Sequence, residues 1–123
     1  WPELTRTVAG TYHALPPTTR RRTAIVGQTY HIAAAIEVLG PEYGLPRAYS
    51  PNRGYWFFGQ PPAEADTVLY VGDGGALNDH FAHHQRLGTV DSEPLNLAQG
   101  VAITRYDGRV DPWRTMWPEI RTH

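Results

Sequence analysis

Cysteine and lysine are both missing from this chain. Without thiols there is no disulfide and no cysteine-ligated metal, so order has to come from an ordinary core. The absence does not report a compartment, because an extracytoplasmic bacterial domain can do without thiols. All eleven basic residues are arginine, a bias that suggests a GC-rich genome and says nothing of mechanism. Neither sign of charge dominates: the formal net charge is −1, which argues against a general binder of nucleic acid or other polyanions. No apolar run approaches the roughly 20 residues of a membrane span, and no signal-peptide pattern is visible. Internal repeats and low-complexity segments are absent too.

What is present fits one domain. At 123 residues a chain buries roughly two thirds of its unfolded surface and needs no staples. Pro2 to Leu15 reads as a helix, with Leu4, Val8, Tyr12 and Leu15 on one stripe and Pro16-Pro17 as the stop. Thr23 to Val26 is a short apolar run closed by Gly27, a candidate buried strand. Thr29 to Leu39 has helical spacing at Ile32, Ile36 and Leu39, and Gly40-Pro41 ends it. Thr67 to Val71, closed by Gly72, is the strongest strand. Ala76 to His84 reads as a short helix. Arg86 to Val90 and Val101 to Tyr106 read as two more strands, joined by Pro94 to Gly100, and Asp107-Gly108 is a turn signal. Trp113 to Ile120 is a helical turn or an irregular segment that packs Trp113, Met116 and Trp117. Helices alternating with short β-rich runs point to an α/β sandwich of Rossmann-like or flavodoxin-like form. Its sheet is expected to be short and mostly parallel, with an antiparallel edge pair where no crossover helix is visible. The strands at Thr23–Val26 and Thr67–Val71 should lie side by side or nearly so in one sheet, parallel, with the helix Thr29–Leu39 over one face.

The densest information lies in Glu42–Pro62, E-Y-G-L-P-R-A-Y-S-P-N-R-G-Y-W-F-F-G-Q-P-P. Glycines and prolines forbid one long helix, and the aromatics need either a core or a partner surface. If the segment is extended, successive side chains point to opposite faces. Trp56 and Tyr49 should then be mostly buried, and Tyr55, Phe57 and Phe58 partly exposed.

This stretch resembles the "Y-G-L-P-x-x-Y-S-x-x-N-x-Y-W-x-W-G-P-P" segment in the soluble C-terminal part of bacterial polytopic membrane glycosyltransferases. Those proteins are related to dolichyl-phosphate-mannose protein mannosyltransferases and to the lipid A aminoarabinose transferase. Four further segments resemble the same family in the same order. Trp1-Pro2-Glu3-Leu4 is similar to its opening, and Gln28-Thr29-Tyr30 through Gly40-Pro41 to its "N-Y-G-E-A-G-A-L" helix. Asn96 to Gly100 is similar to an "N-E-E-Q-G" turn, and Pro112-Trp113 through Trp117-Pro118 to a closing "P-W-x-x-L-W-P". The resemblance implies an extracytoplasmic domain carried on a membrane protein, with a polyprenyl-phosphate sugar as donor of the parent enzyme. The implied partners are the membrane-embedded domain of the same polypeptide and the sugar donor or acceptor glycan. Nucleic acid is not among them, and neither cofactor nor metal is implied. The start at Trp1-Pro2 then fits a boundary inside a longer polypeptide.

The residues offer several sites, each with a plainer reading beside it. Val26-Gly27-Gln28 and Val71-Gly72-Asp73-Gly74-Gly75 are strand–glycine junctions where a phosphate could sit. Neither has the full G-x-G-x-x-G spacing, and tight turns or helix caps explain them as well. In the family's "N-Y-G-E-A-G" helix start, Tyr30 and Ala33 persist, while Thr29, His31 and Ile32 replace Asn, Gly and Glu. Isoleucine has no acid–base capacity, so any work done by that Glu in relatives is not done that way here. On a helix, His80, His83 and His84 would share one face and could hold zinc; the plainer reading is a solvated helix end. Arg20-Arg21-Arg22 could touch anionic headgroups, or could be a solvated loop. Tyr49 to Phe58 could be a sugar platform, with Asn52 and Arg53 bonding hydroxyls or phosphate, or a packed docking loop. Ser50 and Ser92 lack a nucleophile-elbow frame, and no carboxylate pair is in catalytic spacing, so no catalytic residue is assigned.

The expectation that follows is a non-catalytic accessory domain of a membrane glycosyltransferase, capping the active site or binding acceptor or substrate. Its candidate substrate-binding residues are Gln28, Thr29, Tyr30, Tyr49, Asn52, Arg53, Tyr55 and Trp56. The alternative is a stand-alone α/β module that binds a small ligand.

Overall fold

The computed structural model describes residues 2–73, 75–90 and 101–122, and the side chain of Phe57 also falls outside the description. Trp1, Gly74, Ser92 and the connection Pro94–Gly100, with its Asn96–Gly100 turn, lie outside the described residues.

The chain opens with α1 (Pro2–His13) and a single turn, α2 (Pro17–Arg20). Strand β1 (Thr23–Gly27) leads into α3 (Tyr30–Leu39). A 3-10 turn at Gly40–Tyr43 carries the chain to the two-residue strand β2 (Ala48–Tyr49). A second 3-10 helix, Arg53–Phe58, precedes β3 (Thr67–Val71). A third, Asn78–His80, leads into β4 (Phe81–Val90), then come β5 (Val101–Arg109) and α4 (Trp113–Glu119). The five strands form one sheet in the order β2-β1-β3-β5-β4.

Strands β1 and β3 pair in parallel, from Thr23 with Thr67 to Gly27 with Val71. Every residue of both is buried. That is the behaviour of short apolar strands covered on both faces. On one face, Leu4 and Val8 of α1 and Ile32, Ala33 and Ile36 of α3 close over Ile25, Val71 and Ile103. On the other, Trp113, Met116 and Trp117 of α4 pack with Val26, Val68, Tyr70 and Tyr106. Each such side chain contributes roughly 1.5–3 kcal/mol by leaving water. Among the described residues no helix is long and apolar enough to cross a membrane.

The protein is therefore mixed α/β, but its sheet is not mostly parallel. β1 pairs in parallel with β2 and with β3, whereas β5 is antiparallel to both β3 and β4, and the antiparallel residue pairs outnumber the parallel ones. The reason lies between Val71 and Phe81. A crossover helix was expected over Ala76–His84, and only the short 3-10 turn forms there. Leu77 and Phe81, four apart, both enter the α4-side core, which imitates helical spacing. The chain instead crosses that face without a helix and starts β4 at the far end of the sheet. β4 thus runs in the same direction as β3, with β5 between them and antiparallel to both. The ladder with β5 overrides the local helical pattern. Asp107-Gly108 is likewise no chain reversal: it lies inside β5, with Gly108 at φ 72°.

Candidate functional site

The carboxyl ends of β1, β2 and β3 bring together residues far apart in the chain. In sheets with parallel strands this is the end where ligands collect. The chain leaves β1 toward β2 on one side, and β3 lies on the other, so the β1/β3 border is the natural crevice. Here it is filled by Gln28. The Gln28 backbone N–H donates to the Val71 carbonyl (2.9 Å), and its side-chain Oε1 accepts from the Asp73 N–H (2.7 Å). Gly72, at φ 144°, permits this: a Cβ there would stand 2.3 Å from the Gln28 Cβ. A Cβ on Gly27 would stand 2.9 Å from the Ala33 nitrogen. Both glycines are thus required by close packing of strand, loop and helix.

Helix α3 starts next to this border. Thr29 is extended, and its hydroxyl accepts from the Ile32 N–H (3.3 Å), an N-cap. The Tyr30 N–H donates to Oδ1 of Asn52 (2.9 Å). Asn52 also donates through Nδ2 to the Thr122 hydroxyl (3.0 Å), and its own N–H donates to Oγ of the buried Ser50 (3.2 Å). Thr122 completes the clamp: its carbonyl accepts from the Arg53 N–H (2.8 Å), and its N–H donates to the Pro51 carbonyl (2.9 Å). Arg53 sits in the left-handed region at φ 52°, with its guanidinium carbon 5.9 Å from the Tyr30 ring centre. Gln28, Thr29, Tyr30, Asn52 and Arg53 therefore do meet. The polar groups of Gln28, Thr29 and Asn52 are nevertheless spent on capping and clamping backbone, which leaves less of the helix start open to an anion than the sequence suggested.

Three of the aromatic candidates, Tyr49, Tyr55 and Trp56, split between the two faces. Arg53–Phe58 is a 3-10 helix rather than an extended segment, so the expected two-sided alternation gives way to a three-residue repeat. Tyr55 and Phe58, three apart, contact edge to face (5.1 Å between centres). Tyr55 leans on the α1/α3 core, whereas Tyr49 and Trp56 lean on the α4 core. Tyr49 and Trp56 are mostly buried, as expected, and Phe58 is 65% exposed. Trp56 donates from Nε1 to the Trp117 carbonyl (3.3 Å) and lies under Arg121, 4.6 Å from ring centre to guanidinium carbon. Arg47 stacks on Tyr49 at 4.9 Å, donates to the Phe58 carbonyl and pairs with Glu37 at 3.4 Å. The Tyr55 hydroxyl is pushed up to about 12 by burial, with the negative charge of Glu37 and a hydrogen bond to it adding.

The three histidines do not share a face. His80 lies in the 3-10 turn, with Nδ1 2.7 Å from Asp111 Oδ2 and Nε2 3.7 Å from Glu119 Oε2. His83 and His84 are neighbours on β4, so their side chains point to opposite sides, and His84 stacks on Tyr106 (5.5 Å). Among the described residues no group of three or more His, Asp or Glu side chains is placed to hold a metal.

Sequence reasoning missed Thr122, Glu37 and Arg47. Thr122 stands in a short tail with no pattern of its own. Glu37 and Arg47 become partners only once α3 and the approach to β2 lie side by side. Comparison with protein-family models, curated proteins and solved structures returns no match for this chain.

Proposed function

We propose that this chain is an extracytoplasmic accessory domain of a polytopic bacterial glycosyltransferase that draws on a polyprenyl-phosphate sugar. The observation that carries the reading is a convergence. Three segments that resemble the family separately are joined by two hydrogen bonds. One, from Tyr30 to Asn52, ties the helix start to the aromatic segment; the other, from Trp56 to Trp117, ties that segment to the closing helix. Segments kept together for one task are expected to meet in space.

In this reading the α3 start and the Asn52–Phe58 segment form the surface that faces the membrane-embedded domain, with Phe58 as the exposed contact and Arg53 and Tyr30 nearest to acceptor or donor. The fold fits a doubly wound relative in its first half, where the order β2-β1-β3 and the parallel pairing match that pattern. The second half replaces further crossovers by an antiparallel pair. Among the described residues the chain supplies no nucleophile or carboxylate pair in catalytic arrangement. The purified chain should therefore neither hydrolyse nor transfer sugar from a polyprenyl-phosphate sugar. Turnover that disappears on mutating one of its own residues would overturn the proposal. Sequencing the gene ahead of the Trp1 codon tests the parentage: apolar spans of about 20 residues are expected there, and their absence would sink it.

A further inference from the structure

A cavity of about 280 Å³ opens at the other end of the parallel strands, where α2 enters β1 and the chain approaches β2 and β3. Its lining includes Arg20, Arg21, Arg22 and Arg47, with one carboxylate, Glu64. Tyr12 and Tyr49 line it too. Four arginines around one small cavity concentrate positive charge there, and the fold only partly offsets this. Arg22 pairs with Asp66 (3.2 Å) and Arg47 with Glu37 (3.4 Å), all of them well exposed. Arg20 spends one N–H on the His13 carbonyl (2.9 Å). Among the described residues, no carboxylate lies within ion-pair distance of Arg20 or Arg21. Each guanidinium carries five N–H donors, so most donors of these four arginines find no acceptor among the described residues.

The positions are held by the core rather than by the loop itself. β1 is buried from its first residue, Thr23, which fixes the three arginines just before it. The Thr23 hydroxyl donates to the Thr19 carbonyl (2.7 Å), and the Tyr12 hydroxyl reaches the Arg20 carbonyl (3.4 Å). Arg47 is braced by the Tyr49 ring and the Phe58 carbonyl.

We infer that this cavity binds a small phosphate ester. Forked guanidinium groups match phosphate oxygens in pairs. The two tyrosines offer faces and hydroxyls for one ring attached to the phosphate. The volume lies just under the roughly 300–1,000 Å³ of typical ligand pockets, which favours a sugar-sized ester. The inference rests on this lining alone and is independent of the membrane-transferase reading. The phosphate could be carried by a soluble sugar phosphate or by a lipid headgroup.

Isothermal titration of the full chain, in low salt, separates these cases. The titrants are glucose 1-phosphate, inorganic phosphate, glucose, and vesicles of phosphatidylglycerol or of phosphatidylcholine. Glucose 1-phosphate should bind, inorganic phosphate more weakly and glucose not at all, with affinity falling as salt rises. Arg21→Gln should weaken binding about tenfold, and Arg47→Gln by a similar factor. Arg86→Gln on β4 should leave it unchanged. Circular dichroism confirms that the variants fold; if Arg47→Gln does not, Arg21→Gln decides, because Arg21 braces nothing. Binding of the soluble ester alone supports a soluble ligand. Binding of both the ester and phosphatidylglycerol vesicles, each weakened by Arg21→Gln, supports a lipid-borne phosphate. Binding of vesicles alone, an ester affinity that Arg21→Gln leaves intact, or no binding of either phosphate compound overturns the inference.

Discussion

Asn52 does at one position what the rest of the loop cannot do for itself. Its amide accepts from the start of α3 and donates to the C-terminal tail, so three stretches of chain depend on it. Asn52→Ala leaves the Tyr30 N–H without its acceptor and should cost about 1–3 kcal/mol, read as a lower midpoint in urea. From the sequence Asn52 is a candidate for bonding sugar hydroxyls, and the residue type is right for that; only the fold reveals that its partners are backbone and Thr122. Tryptophan shows a similar limit. Trp56 is mostly buried, as expected of the aromatic run, but the sequence does not rank it against Trp117, which is 2% exposed in the α4 core. Trp117→Ala should therefore cost about 3–5 kcal/mol and Trp56→Ala about 1–3 kcal/mol. Thermal melts of the two variants check the order, and the reverse order would mean that the aromatic loop, not α4, closes that face.

At the scale of elements, legibility follows burial. β1 and β3 are continuous apolar runs ended by glycine because both their faces are covered, so they could be read directly, and so could their parallel pairing. α1 and α3 carry one apolar stripe each and were equally plain. β4 was not fully legible: from Ala82 to Leu87 its side chains are exposed, so no apolar alternation marks it as a strand. Its place is set by hydrogen bonds to β5, which leave no mark on composition. The lack of an α-helix among the described residues between Val71 and Phe81 was hidden for the same reason, and with it the antiparallel pairing of β5 with β3; the antiparallel edge pair of β4 and β5 was expected and forms. The centre of that sheet carries its own test. Burial, with Tyr106 and Asp73 adding, pushes the Tyr70 hydroxyl up to about 12, and burial raises Tyr106 as well. Below about pH 10 folded and unfolded chains both keep these protons, and stability is undiminished. Between about pH 10 and pH 12 the unfolded chain releases protons that the folded chain retains, so stability falls. With no lysine or cysteine to titrate nearby, the loss reports tyrosine. Urea melts at about pH 9 and about pH 11 should differ by about 1–3 kcal/mol, and Tyr70→Phe should shrink the difference. An unchanged difference would assign the effect to tyrosines other than Tyr70.

For the whole molecule, the two ends of the parallel strands do different things. The carboxyl ends are closed by Gln28 and clamped by Asn52 and Thr122; the amino ends leave a cavity lined by four arginines, one of which, Arg47, bonds the Phe58 carbonyl at the end of the aromatic helix. A domain arranged this way can take a small anion beside the exposed Phe58 through which it docks. The docking half turns on Phe58. A phenyl ring 65% exposed beside Tyr55 adds little to the core, and such a ring is most useful against a partner surface. Phe58→Ala should accordingly shift the melting temperature of the isolated chain by no more than a surface change does, within about 0.5 kcal/mol. Under the proposed parentage, the same change in the parent glycosyltransferase should lower sugar transfer while leaving the amount of folded protein unchanged. Both halves of this outcome are needed. A large loss of stability in the isolated chain would make Phe58 part of the core packing of the loop. Full transferase activity in the intact protein would remove the docking role and leave the arginine cavity as the functional end of the domain.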